Sequence, residues 1–397
     1  MKLPGGVVWV MVLLSVGAVG ARFARDRARA ALFQTTGWQS VWMIPAPYVA
    51  DISLSPTGNT LAWTDRKGCV RRVDAKTGRS IWRTFPLTGV NRVVAAPNGT
   101  VAAFGALNPE RNSVVLLNAA TGDKNPRVWA GSGAVWSAAF DAKGAAYIGT
   151  GGQQSGIYDP KNVGLVKPRV STGSPESLAV ATKSPRLVAG SWSPTAVSGC
   201  DLTVNLPCWR REETAPGRTY RVAVSATGTR VLVLSVRGRA ETKPVVRVHD
   251  GANGNVLWEA VLPEPAAYPV AKLSANGETV AVSYRRTASP SDPDDWRLAV
   301  FDARGKRFFG DKGSALFMPR LLAVSADGGT ITVRSGDDTI YTLNKRGDFV
   351  DRYRLPLETG RTTPRPIVRA ESTPDGTTVL LQERGDKLVL LRYGAVK

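Results

Sequence analysis

One histidine, three cysteines and 32 carboxylates make up the acid–base, thiol and metal-binding groups of this 397-residue chain. A single imidazole excludes metal centres built from several histidines. That residue, His249, closes the apolar run of VRVHDGANG beside Asp250. General-base catalysis needs a positioned nucleophile, and the sequence offers none, so His249 reads as a turn residue. The run Ser289–Trp296, SPSDPDDW, gathers Asp292, Asp294 and Asp295, hard oxygen donors of the kind Ca²⁺ prefers. The regular ligand spacing of a Ca²⁺ loop is missing, and Pro, Ser and Asp together read as a hairpin tip. The Asp337–Asp338 pair reads the same way. Gly149–Gly156, GTGGQQSG, is glycine-rich, but it lies between two strand patterns with no helix following, which makes it a hairpin and not a phosphate cradle. No G-x-S-x-G elbow occurs. No catalytic, cofactor-binding or metal-binding residue is therefore assigned, and no cofactor is expected.

Cys200 and Cys208 bracket a short loop. Oxidised, they would stabilise the fold by about 2 to 3 kcal/mol by restricting the unfolded chain; the alternative is two unlinked thiols. Cys69 falls in an apolar pattern and reads as a small buried residue on an inner strand.

The elements that must carry these residues are short. Between Val49 and Arg83 the apolar residues alternate in four segments: Ile52 and Leu54, Leu61 and Trp63, Val70 and Val73, then Ile81. Alternation with a period of two indicates strands with one face on a core, and Pro56–Gly58, Arg66–Gly68 and Thr77–Gly78 supply the turns. A four-stranded sheet of this size cannot bury both faces alone. The same unit recurs down the chain, its first turn ending in Gly58, Gly99, Gly144, Gly228, Gly277, Gly328 and Gly376. The period is roughly 40 to 50 residues, the length of a propeller blade. One double step hides a degenerate copy, Leu178–Gly190, with Pro185 in the glycine's place. The expected architecture is an all-β β-propeller of eight four-stranded blades, with seven as the alternative count. The last copy, Ile367–Tyr393, has three strands, and Gln39–Pro45 (QSVWMIP) aligns with the outer strand of the first copy. Val41, Trp42 and Ile44 are thus expected to close the ring and remove its open edges.

The repeat resembles bacterial PQQ-like and WD40-like repeats. Asp74–Trp82 follows the D-x-x-T-G-x-x-x-W pattern of the quinoprotein type, and Ser55–Trp63, SPTGNTLAW, is similar to the S-P-D-G-x-x-L-A type of TolB-like, YVTN-like and WD40-like propellers. The resemblance spans Trp38 to Tyr393 and implies a fold that hosts enzymes and binders alike. Quinoprotein dehydrogenases add a vicinal Cys-Cys pair and a Ca²⁺ site. No two cysteines here are adjacent, which argues against PQQ and leaves the repeat's tryptophans as blade packing.

Ahead of the ring, residues 1–36 read as a membrane anchor or signal segment, and 37–397 as the propeller domain. Leu3–Ala21 carries no charge, and Val7, Trp9, Leu13, Leu14 and Val19 form its apolar body. That length is just enough for a spanning helix. An arginine-rich flank, Arg22–Phe33, follows and favours an anchor over a cleaved signal. Those arginines taken literally hold the ring in the cytoplasm; the family resemblance and the cysteine pair point instead to an extracytoplasmic, periplasmic ring. Secretion after cleavage is a third outcome. The formal net charge of +20 is spread over most copies, including Arg66, Lys67, Arg71, Arg72, Arg210, Arg211, Arg285, Arg286, Lys306, Arg307, Arg352, Arg354, Arg361, Arg365 and Arg369, which read as exposed-turn cations. Such a field suits three uses: lying on anionic lipid, binding an anionic polymer such as nucleic acid or an envelope glycan, or simple solubility in a basic proteome. Without an aromatic base-stacking groove, nucleic acid is not the expected partner. Two functions follow: a membrane-anchored, non-enzymatic scaffold for a protein or envelope component, or, as the alternative, a quinoprotein-like oxidoreductase or hydrolase with its site at the central channel.

Overall fold

The computed structural model describes residues 37–105, 113–124, 129–130, 135–151, 156–159, 164–165, 175–192, 195–203, 208–212, 217–237, 243–262, 266–286, 296–310, 319–335, 339–354, 367–374, 376–383 and 387–393. Val7, Trp9, Leu13, Leu14 and Val19, expected from the sequence to form an anchor, lie outside the described residues, as do the Asp292–Asp295 cluster and the Asp337–Asp338 pair. No helix among the described residues is long and apolar enough to cross a membrane.

The described strands form eight four-stranded antiparallel sheets, seven of them built from consecutive strands. We number these blades 1 to 8 from Val49. Their innermost strands are Val49–Leu54, Arg92–Ala95, Val135–Phe140, Pro175–Val180, Gly217–Val224, Ala266–Leu273, Arg320–Val324 and Ile367–Ser372. Each innermost strand packs beside the next, and the eighth packs beside the first, so the ring closes. Seven of the first turns use the repeat glycine in the left-handed region, with φ from 69° to 88°. That conformation is open to glycine and strained for residues bearing a Cβ, so the spacing of those glycines reports blade length directly.

Blade 8 takes its outer strand from the opposite end of the chain. Trp38–Pro45 pairs antiparallel with Lys387–Tyr393, Trp42 facing Leu390 and Ile44 facing Leu388, with a bulge at Val41. Val41, Trp42 and Ile44 pack on the core of blades 8 and 1, against Trp63, Leu380 and Leu390. At its start the sealing strand is fixed further: the Gly37 amide donates to Asp351 at 2.8 Å and the Trp38 indole donates to Thr342 Oγ1 at 2.9 Å.

Neighbouring blades are joined by a repeated lock. The outer-strand tryptophan of one blade lies on the last turn of the next, where a glycine has no Cβ to obstruct it. The Trp42 indole donates to Ala75 O at 3.0 Å and lies over Gly78. Trp82 repeats this on Ala119 O and Gly122, and Trp209 on Gly251 O and Gly254. Trp258 covers Gly305 in the same way. The T-G and the W of the repeat are therefore two halves of one contact, contributed by adjacent blades.

Three sequence expectations need correction. His249 is not a turn residue: it is 2 % exposed within Lys243–Asp250, stacked on Trp209 of the preceding blade at 6.3 Å, with Nδ1 3.0 Å from Gly254 O. The lock on blade 5 covers it. Cys69 is buried, but in the connection just before Val70–Asp74 and not on an inner strand. Several cations expected on exposed turns lie on strands, reaching either to the next blade or onto an aromatic ring of their own blade. Arg72 donates to Ala119 O, Arg211 reaches Gly254 O, Asn253 O and Asn255, and Arg71 lies over the Trp63 ring at 4.9 Å. Arg307 approaches the Phe301 ring in the same way. Alternation along a strand cannot separate a cation in water from one whose stem crosses to the next blade.

The sulfurs of Cys200 and Cys208 are bonded, closing the loop that links the third and fourth strands of blade 4. Leu187, Ala189 and Ile157 pack around Cys200.

Candidate functional site

In each blade the innermost strand is hydrogen-bonded on one side only, so its other edge would be bare toward the ring axis. Side chains from the preceding blade supply the missing acceptors. Val93 N donates to Asp51 Oδ2 and Ala95 N to Ser53 Oγ, each at 3.0 Å. Val222 N donates to Ser177 Oγ at 3.1 Å and Leu321 N to Ser283 Oγ at 3.0 Å. In five blades a register shift falls directly ahead of a polar or charged inward residue, namely Asp51, Ser137, Ser177, Arg221 and Arg369. Bulges re-aim the side chain that follows, and all five of these residues line the central channel.

The channel has a volume of about 1120 Å³. Its wall mixes polar groups with apolar residues, Ala95, Ala139, Ala179, Ala223 and Ala323 among the small ones. Six charged side chains interrupt it: Asp51, Arg92, Arg221, Lys272, Arg369 and Glu371. Counting four cations and two carboxylates, the channel carries a surplus of two positive charges when all are ionised. Arg369 pairs with Asp51 at 2.5 Å, and Arg92 donates to Trp136 O at 3.0 Å.

Enclosure by the surrounding blades perturbs the rest. Burial raises the Asp51 carboxyl above the ordinary aspartate range, with Val93 N and Arg369 pulling the other way. It lowers the Lys272 ammonium against the pull of Glu371. It raises the Glu371 carboxyl, opposed by Lys272 and reinforced by Asp51. The Glu371 side chain nonetheless reaches channel water, and Lys272 is half-buried, so each can meet a ligand. Perturbed acids and bases facing a cleft mark functional sites, although structural ion-pair networks shift in the same way.

None of these six was singled out from the sequence as a channel residue; Arg369 was read only as a surface cation. The cysteine pair and Val41, Trp42 and Ile44 lie outside the channel, in blade 4 and in the sealing strand. Among the described residues no three His, Cys, Asp or Glu side chains gather into a metal-binding group.

No protein-family model and no curated protein matches the chain. Among solved structures, the crystal structure of the C-terminal WD40 domain of Sif2 is similar, with a TM-score of 0.60 over 90% of this chain and 99% of that one, at 11% identity. The fold is a WD40-like β-propeller. With 1710 chains of known structure similar to it, the likeness fixes the architecture of the propeller and selects no function.

The propeller has a second distinctive area on one face. The connection between the second and third strands of blade 1 touches both flanking inter-blade connections: Arg66 N donates to Tyr48 O at 3.0 Å, and Leu87 N donates to Gly68 O at 3.1 Å. On those two connections stand Tyr48, 66% exposed, and Phe85, 90% exposed, with Arg66 and Lys67 exposed between them. Tyr48 has φ of 59° and is the one non-glycine among the described residues in the left-handed region. Aromatic and arginine side chains dominate the energetics of protein interfaces, and strained backbone is retained where the surroundings hold it in place.

Proposed function

We propose that the propeller is a membrane-anchored, non-enzymatic interaction platform: an eight-bladed ring held to a bilayer through residues 1–36, which binds a protein or an anionic envelope component on the extracytoplasmic side. One observation carries this reading. The sealing strand enters the ring at Gly37, beside Tyr393, and leaves it at Pro45, beside Lys387, so its ends open on opposite faces. The anchor would join the face that carries the turn glycines, while Tyr48, Phe85, Arg66 and Lys67 stand on the other. One face is thereby committed to the membrane and an aromatic, cationic patch is left for a partner.

Two measurements test the reading. A photo-crosslinking amino acid at Phe85, introduced in the native membrane, should give a discrete adduct that the same probe at Lys76, on the anchor-side turn of blade 1, does not. Alkaline phosphatase fused at the carboxyl end should be active, reporting the extracytoplasmic side. Equal adducts at both positions, or an inactive fusion, refute the proposal.

A further inference from the structure

We propose that the central channel is a binding site for a small hydroxycarboxylate, its carboxylate held by Arg221 and Lys272 on blades 5 and 6 and its hydroxyl by Glu371 on blade 8. Two of the channel's four cations already have partners, Arg369 in Asp51 and Arg92 in Trp136 O. Among the described residues no opposite charge lies within salt-bridge distance of Arg221, Lys272 or Glu371. These three line one cavity from blades 5, 6 and 8, and blade 7 contributes only Leu322, Ala323 and Val324 to the wall between them. The cluster is therefore a cation pair and a carboxyl group facing one cavity, in which Lys272 and Glu371 attract one another without closing to an ion pair. All three line the same cavity, as the few polar groups of a ligand site do.

The chemistry of the cavity selects the ligand. A guanidinium and an ammonium side by side favour a carboxylate, through charge-assisted hydrogen bonds. Glu371 and Asp51, on the opposite wall, repel a second full charge, which disfavours a dianionic phosphate. Glu371 instead accepts from a hydroxyl on the same ligand. The groups facing this carboxyl are Lys272, Asp51, Arg221 and Arg369. Because burial raises its proton affinity, rising pH adds negative charge here and weakens anion binding.

Isothermal titration calorimetry on the full chain in detergent tests the assignment, with the monoanions gluconate, glycerate and lactate as probes and inorganic phosphate and glucose as comparators. The expected result is saturable binding of at least one hydroxycarboxylate at low millimolar concentration, and weaker or absent binding of both comparators. Lys272→Met and Arg221→Gln should each weaken it by roughly tenfold or more, the scale of one lost charge-assisted hydrogen bond. Glu371→Gln keeps an acceptor oxygen, so it should preserve affinity and flatten its decline with rising pH. Arg79→Gln, an exposed cation remote from the channel, should change nothing. Arg221 projects into channel water, so its variant tests the site even if Lys272→Met fails to fold. The proposal is overturned if no hydroxycarboxylate gives saturable heat, if phosphate binds as tightly as the best of them, or if folded Arg221→Gln matches the parent.

Discussion

Gly78→Ala should destabilise the propeller far more in the parent than in a chain lacking the Trp42 indole. A Cβ at Gly78 would stand 2.9 Å from Trp42 Cγ and 3.0 Å from Cδ2, at a backbone φ of 73°. The left-handed conformation alone costs about 1 to 2 kcal/mol for alanine, and forcing a methyl against a packed ring adds about 1 to 3 kcal/mol. The indole cannot easily yield, because its N–H is fixed to Ala75 O at 3.0 Å. Trp42→Ala removes that hydrogen bond, about 1 kcal/mol, and roughly half the 3 to 5 kcal/mol typical of a fully buried aromatic, since Trp42 is half-buried. In the double variant the ring clash is gone, and what is left is the backbone penalty and one tight contact, Ile44 Cγ2 at 3.3 Å. The two substitutions should therefore fall short of additivity by about 1 to 3 kcal/mol. Urea unfolding followed by far-ultraviolet circular dichroism, with the denaturant slope unchanged, measures the cycle. Additivity to within about 0.5 kcal/mol would refute the claim that the tryptophan and the glycine form one contact.

Trp82, 8% exposed in the equivalent lock, should cost about 3 to 5 kcal/mol on substitution by alanine, whereas Phe85→Ala should stay within about 0.5 kcal/mol in the same assay, because its ring is in water. Reducing Cys200–Cys208, or replacing both with serine, opens a loop of sequence separation 8 and should lower stability by about 2.5 kcal/mol; an unchanged urea midpoint in dithiothreitol would refute this. Glu371→Gln should stabilise the ring at neutral pH. Burial raises the folded-state proton affinity of Glu371, so the parent loses stability as pH rises from the ordinary glutamate range through that raised value. The variant's advantage should vanish in acid, and thermal melts across pH that show a constant difference would contradict the sign.

The blade unit was legible in the sequence because two of its constraints are written in residue types: alternation for the strands, and a left-handed turn that only glycine takes easily at Gly58 and its equivalents. Closure was legible for the same reason, since Gln39–Pro45 carries the outer-strand pattern of Ser80–Arg83 without the strands that should precede it. The channel was not. Asp51, Arg92, Ser137, Ser177, Arg221 and Arg369 occupy matching positions in their blades, but that position is shared among arginine, serine and aspartate and is Val270 or Leu321 in two others, so no single residue type marks it. Their common role, lining the central channel, exists only when the ring is assembled. His249 misled for a related reason: the residue covering it, Trp209, is 40 positions away in another blade.

The way the seam is oriented has a mechanical consequence. A tug delivered through Gly37 runs along the axis of Trp38–Pro45, so the paired positions from Trp38 opposite Tyr393 to Pro45 opposite Lys387 resist together in shear instead of opening one rung at a time. The one joint in the ring made from distant parts of the chain is thus loaded in the direction in which a strand ladder is hardest to break. Under the membrane attachment proposed above, a pull through Gly37 would strain the clasp without peeling it.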